Sequence, residues 1–320
     1  MPIPINEALD AHEAAAVTKA RQARFELPKY VVNSMLAGGY VGVAVVLLVM
    51  VSSAFIAAKS PATKLVQGSV FGVALTLVVF AGAELFTGNV MVMLQGLARR
   101  KVTAVDLVTV WAASLLGNLV GSLGFAALVN ASGVITAGAP AGQQTVSIAS
   151  LAGIIKAKAA LTGGQLFFRS ILCNLLVCLA LWMAARTKSD AAKLICLWWA
   201  LLAFVASGFE HSVANMTIFG LGIFAHVPGA TWAELTRNLI YTVPGNIIGG
   251  GVLVGLAYGW AGREAGTPPL VADLRATDSV VTAVPTVDLE EAEATDAAAA
   301  PANGRRATTP PPRRAKTTAR

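Results

Sequence analysis

A glutamate and a histidine stand side by side at Glu210 and His211, between two apolar runs, 194–206 and 213–224. Both side chains hold or pass protons, and imidazole does so near neutral pH. At membrane depth two adjacent ionisable groups cost several kcal/mol unless they face a cavity or a partner, so the pair marks a candidate site. Ser207, Gly208 and Ser212 around it are small. The spacing therefore predicts one hydrophobic segment broken near its middle, with Glu210 and His211 at the break, because a bilayer tolerates broken helices only where the freed backbone is buried in protein or lines a pathway.

The plainer reading is that His211 fills space and satisfies a neighbouring backbone group. It is weighed against the setting of the other two histidines. His12 and His226 lie outside the apolar runs and are expected at the surface. No His-Glu-x-x-His pattern or metal-ligand cluster accompanies them, which argues against a membrane enzyme and implies no cofactor. Cys173, Cys178 and Cys196 lie in or beside apolar runs and read as buried thiols.

The elements that must position the pair are membrane spans. The chain has 320 residues, 56% of them hydrophobic and 13% charged, with a mean hydropathy of +0.67. Spanning helices need about 20 predominantly apolar residues, and six stretches qualify: 35–58, 66–97 with an interruption, 107–129, 163–185, 194–224 with an interruption, and 239–260. Residues 1–30 are polar and hold no signal-peptide core. Residues 5–19 carry apolar positions at helical spacing, which fits a short amphipathic helix or a solvated leader equally well. The net charge of +7 collects beside the spans, which fits the positive-inside rule and not a nucleic-acid surface. Arg99, Arg100 and Lys101, then Arg186, Lys188 and Lys193, mark two connections as cytoplasmic; the N-terminal Lys19, Arg21, Arg24 and Lys29 agree. Both termini are expected inside a bacterial inner membrane.

The interruption of the second run, Ala81-Gly-Ala-Glu-Leu-Phe-Thr-Gly-Asn89, echoes that of the fifth. Gly82, Glu84 and Asn89 match Gly208, Glu210 and Asn215 at an offset of 126 residues, and Gly117-Asn118-x-x-Gly121 matches Gly245-Asn246-x-x-Gly249 at an offset of 128. A repeat of three spans must insert in opposite senses, which predicts an all-α integral membrane protein with an inverted 3+3 repeat. Two broken helices would meet near the midplane, with Thr87 and Ser212 as N-caps of the second halves, whose free N–H groups favour an anion.

These segments, together with Cys173-Asn-Leu-Leu-Val-Cys-Leu-Ala-Leu-Trp-Met183 and Gly245-Asn-Ile-Ile-Gly-Gly-Gly251, resemble the signature segments of the formate/nitrite transporter family over residues 31–260. Glu84-Leu-Phe-Thr-Gly88, Ala184-Ala-Arg-Thr187 and Trp198-Trp199 are closer to its nitrite branch than to its formate branch. The resemblance implies an aquaporin-like protomer of six spans with broken second and fifth helices, a homopentamer among membrane lipids, and one pore per protomer for nitrite or a similar small anion. Formate and hydrosulfide remain alternatives. A neutral-solute channel is disfavoured, since no Asn-Pro-Ala occurs. By the same resemblance Leu85, Phe86 and Thr87 fall on a gating loop, and Phe71, Leu75 and Phe204 on constrictions. His211 falls on a central pore histidine and Asn174 and Asn246 on polar pore-side positions. Either Lys156 or Lys158 matches a periplasmic lysine that attracts anions. Glu210 and Glu84 are read as supports behind the pathway. The stretch 261–320, rich in proline and charge, is expected to be a disordered cytoplasmic tail.

Overall fold

In a computed structural model of the chain, residues 1–137 and 144–262 are described, and no strand occurs among them. Helix α1, Ile5–Phe25, opens with Glu7 in its first turn and closes with Arg24 in its last, signs that suit the helix dipole. It buries Ala8, Leu9, His12, Glu13, Ala16, Ala20 and Ala23, a stripe at helical spacing. This is the amphipathic alternative for the N-terminal segment. His12, expected at the surface, lies in that stripe; its neighbours at three- and four-residue spacing, Ala8, Leu9 and Ala16, are apolar, a signal the sequence carries.

Helix α2, Leu27–Ala57, starts eight residues before the apolar run predicted at residue 35, with a proline in its first turn. The segment Thr63–Phe80 is two helices, α3 (Thr63–Phe71) and α4 (Val73–Phe80), jointed at Gly72, where the Trp198 side chain comes too close for a β-carbon. Helix α5 is Phe86–Ala98, and α6 is Ala104–Ser132, started by a reciprocal Thr103/Asp106 cap and ended by Gly133 at φ +70°. Helix α7, Val146–Ala159, lies outside the six apolar stretches; it is short, carries only Lys156 and Lys158 as charges, and is capped by Thr145. Helices α8 (Gly163–Ala185), α9 (Asp190–Ala206) and α10 (Ser212–Phe224) follow. Helix α11, Trp232–Asn246, contains Pro244 and passes into a π-helix, Ile247–Leu256, before α12, Ala257–Ala261. A proline inside a helix removes one backbone hydrogen bond, and the looser π turn follows it directly.

Among the described residues five stretches are long and apolar enough to cross a bilayer: Leu27–Ala57, Thr63–Phe80, Ala104–Ser132, Gly163–Ala185 and Trp232–Ala261. Helices α5 and α10 are shorter apolar helices. The breaks fall where the sequence put them, between α4 and α5 and between α9 and α10. Gly82 and Gly208 reverse the chain there at φ +75° and +73°, a conformation that costs an L side chain about 1–2 kcal/mol. The prediction of a disordered tail concerns residues that, beyond 262, lie outside the described ones.

Two buried clusters hold these helices together. One runs through Val41, Val45, Phe71, Leu75, Leu85, Val177, Phe204 and Val213 and surrounds the breaks. The other joins the inner face of α1 to Phe86, Met91, Trp182 and Val254.

Candidate functional site

The two breaks are built by the same contacts. Asn118 of α6 accepts a hydrogen bond from Phe86 N–H (2.9 Å) and donates to the carbonyls of Ser34 (2.7 Å) and Glu84 (2.9 Å). Asn246 of α11 accepts from Ser212 N–H (3.0 Å) and donates to the carbonyls of Ser170 (2.8 Å) and Glu210 (3.2 Å). In each case one carboxamide ties the first residue of the second half-helix to the residue before the break's last turn and to a neighbouring long helix. The backbone N–H of Glu84 reaches Asn33 O, and that of Glu210 reaches Arg169 O. Gly117 and Gly121 press on α2 where a β-carbon would strike Ser34 Cβ and the Met35 backbone, and Gly245 and Gly249 press on α8, where it would strike the Phe167 and Ile171 carbonyls.

The carboxylates of the two breaks also carry matched partners. Glu84 takes Lys19 Nζ at 2.7 and 2.6 Å on its two oxygens, with Asn89 at 3.0 Å and the Tyr30 hydroxyl at 3.2 Å. Glu210 takes Lys158 Nζ at 2.9 Å on both oxygens and Asn215 at 2.8 Å. Both acids are thus held by a lysine and an asparagine beside their break. Lys158 is the lysine drawn to the site, while Lys156 is exposed on α7. Lys19 was missed: nothing in local periodicity links a lysine on the N-terminal helix to a glutamate 65 residues on.

Leu85 and His211 occupy the same seat, the extended residue preceding α5 and α10, with φ/ψ of −96°/122° and −107°/117°. The predicted caps are therefore corrected. Thr87 and Ser212 already lie inside the helices; Leu85 caps α5 without a side-chain bond, and His211 caps α10 by accepting Ala214 N–H on Nδ1 at 3.1 Å. Thr87 instead meets His211 Nε2 at 3.1 Å. Since a backbone N–H only donates, Nδ1 is the bare nitrogen of the neutral ring; Nε2 carries the hydrogen and donates it to the Thr87 hydroxyl oxygen.

A cavity of about 450 Å³ opens between α3, α7, α8 and the α9–α10 break, walled by Lys64, Gln67, Lys158, Arg169, Glu210 and His211 among others. Beneath it lies a cavity of about 10 Å³ walled by Val41, Phe71, Leu75, Leu85, Phe204 and His211, which is at the lower limit for one water. Phe71, Phe204 and His211 wall both. The phenyl rings meet edge to face at 5.7 Å, and the imidazole stacks on Phe204 at 5.9 Å. The structure thus brings Phe71, Leu75, Phe204, Leu85 and His211 together. Phe86 is packed into the cluster under α1. Asn174 and Asn246, read as pore-side positions, wall neither cavity; both are fully buried, and the Asn174 amide donates to the carbonyls of Thr87 (3.0 Å) and Asn246 (2.7 Å). Their carboxamides clamp backbone because a helix break leaves carbonyls and N–H groups that water cannot reach.

Five apolar helices of spanning length among the described residues, with shorter apolar helices entering at two breaks, fit a multi-pass membrane transport protein. The chain belongs to the formate/nitrite transporter family, whose model matches residues 6–260. It is 40% identical to the nitrite transporter NirC of Escherichia coli over 263 residues, 81% of this chain and 94% of that one. It is 35% identical to the formate channel BtFdhC of Bacillus thuringiensis over 245 residues, 76% and 90% of the two chains. Among solved structures, an FNT family ion channel superposes with a TM-score of 0.73 at 38% identity, covering 82% of this chain and 99% of the other. A pentameric formate channel with formate bound superposes at 0.61 and 28% identity, covering 74% and 97%.

Proposed function

We propose that this protein conducts nitrite across a bacterial inner membrane, with His211 as the polar station between apolar constrictions made by Phe71, Leu75, Phe204 and Leu85. The observation that carries the reading is that one imidazole walls both cavities and is held by the opposite break through Thr87. A bare anion crossing the ring of phenyl and leucyl groups sheds its water, an idealised cost on the order of 20 kcal/mol and several kcal/mol after relaxation. A neutral acid avoids most of it. A protonated His211 attracts the anion and hands it that proton; a neutral one offers Nε2–H through Thr87.

The matched clamps at Asn118 and Asn246 and the matched pairs at Glu84 and Glu210 support an inverted repeat with six crossings, the second and fifth broken. In this architecture residues 1–30 form a cytoplasmic N-terminal segment, 31–260 the channel domain and 261–320 a cytoplasmic tail, with Lys158 on the periplasmic side. The likeness to a pentameric channel supports a homopentamer. The nitrite transporter relatives favour nitrite; formate is the second reading, favoured by the bound formate of a similar structure. Flux of nitrite, formate and hydrosulfide into reconstituted vesicles tests it. Nitrite should pass fastest, and passage of water or glycerol without anion flux would overturn the reading.

A further inference from the structure

Trp198 lies 126 residues after Gly72, the same offset that relates the two breaks, and these two residues touch. A β-carbon on Gly72 would stand 2.6 Å from Trp198 Cδ1 and 3.2 Å from Trp198 Cα. One mate has no side chain and the other has the largest. Helix α9 runs unbroken through Trp198, whereas Gly72 separates α3 from α4.

Three contacts tie this joint to α9. The Trp198 indole N–H donates to Ser69 O at 2.7 Å, and Ser69 is among the last four residues of α3, whose carbonyls lose their helical partners where a helix ends. A β-carbon on Gly68 would stand 2.7 Å from Leu202 O, so backbone meets backbone there. Between them the Phe71 ring meets Phe204 of α9 edge to face. Phe71 is the last residue of α3, and Ala74 and Leu75 lie in the first turn of α4; all three wall the small cavity beside His211. The wall of that cavity is therefore split across the joint, and the angle at Gly72 sets how far Phe71 stands from Leu75. Trp198 itself walls neither cavity and is 38% exposed.

We infer that Trp198 is a positioning residue: from outside the pathway its indole holds the α3–α4 joint at one angle, and so fixes the gap between Phe71 and Leu75 and the size of monovalent anion that passes. The inference rests on the proposed pathway and adds to it a selectivity determinant that touches no anion. A glycine joint has no side chain of its own to lock it. The ring against Gly72 and the hydrogen bond to Ser69 O supply the lock, and one ordinary hydrogen bond biases a joint between two positions by about two- to tenfold. Without it Phe71 is free to leave Phe204, and the gap admits larger anions.

The test is flux into vesicles carrying the full-length protein, run in parallel with nitrite and with acetate, a larger monovalent oxyanion. Trp198→Phe keeps a ring against Gly72 and loses the N–H; it should raise the acetate-to-nitrite flux ratio by about two- to tenfold. Trp198→Ala, which loses both, should raise it further. Gly72→Ala, whose methyl group displaces the indole, should raise the ratio as well, and the double variant Gly72→Ala with Trp198→Ala should stay within about twofold of Trp198→Ala, because contacting residues that act through one joint are not additive. A tryptophan that only packs would lower the yield of assembled protein and leave the ratio alone. Trp198→Phe carries the test if Trp198→Ala fails to run as the wild-type oligomer on gel filtration. Absence of nitrite flux in the wild type would overturn the proposed function. An unchanged ratio in Trp198→Phe while nitrite still passes, or single effects that multiply in the double variant, would instead overturn the positioning role alone.

Discussion

Removing the Asn246 carboxamide tests whether that side chain holds the break that carries His211. In Asn246→Ala the buried Ser212 N–H loses its acceptor, and the carbonyls of Ser170 and Glu210 lose a donor. An orphaned buried donor costs about 1–3 kcal/mol, and each further lost bond about 0.5–1.5 kcal/mol, so the expected loss is about 2–6 kcal/mol. Asn118→Ala removes the same three bonds from Phe86 N–H, Ser34 O and Glu84 O and should cost a similar amount. Reversible denaturant titration of the purified protein in detergent measures both. Flux adds a second reading: Asn246→Ala should lose nitrite flux more than its stability loss explains, because the slackened break is the one that aims the imidazole. A loss under about 1 kcal/mol in both variants would refute the clamp reasoning, and a large loss in one alone would refute the equivalence of the two breaks.

His211→Asn should keep a hydrogen-bonding side chain yet flatten the pH dependence of nitrite flux in vesicles, while His211→Phe should block passage; an unchanged rate and pH profile in His211→Asn would remove the proton-transfer role. Lys158→Met should destabilise by about 3–5 kcal/mol by leaving Glu210 buried and unpaired, and Lys158→Met with Glu210→Leu should recover part of that loss in the same denaturant titration. Burial among α1, α5 and α8, with Lys19 adding to it, holds the His12 imidazole below its ordinary value of 6.5 despite the Gln95 hydrogen bond. The folded form therefore binds fewer protons than the undocked one, so docking of α1 is fully favourable above pH 6.5 and weakens as pH falls below it. Trypsin cleavage at Lys19 and Arg21 should quicken below that pH in the wild type and lose this dependence in His12→Gln.

What the sequence made legible was local or duplicated. The breaks at Glu84 and Glu210 were visible because charged and small residues interrupt apolar runs, and the shared offset of Gly117-Asn118 and Gly245-Asn246 tied two halves together before any contact was known. What it hid was relational. The Lys19–Glu84 pair spans 65 residues and depends on α1 folding back under α5. Thr87 and Ser212 have good capping chemistry, and the turn residues chosen by Gly82 and Gly208 nevertheless moved each helix start one or two positions earlier, onto Leu85 and His211. Asn174 and Asn246 fall on pore-side positions by the family resemblance alone; local sequence does not show that their amides also bond the carbonyls freed at the two breaks. Residues 27–34 carry too few apolar side chains to register as span, yet they extend α2.

The seat shared by Leu85 and His211 separates what folding requires from what the histidine supplies. At Leu85 a half-helix begins with no side-chain bond at all, so the scaffold can start a helix from that position on an apolar residue, and the His211 cap adds only about 1 kcal/mol. Architecture therefore does not demand an imidazole at either seat. A library that varies residue 211 alone should yield mostly folded proteins, and any narrowing of that library under selection for nitrite uptake would measure transport chemistry with the folding requirement already subtracted.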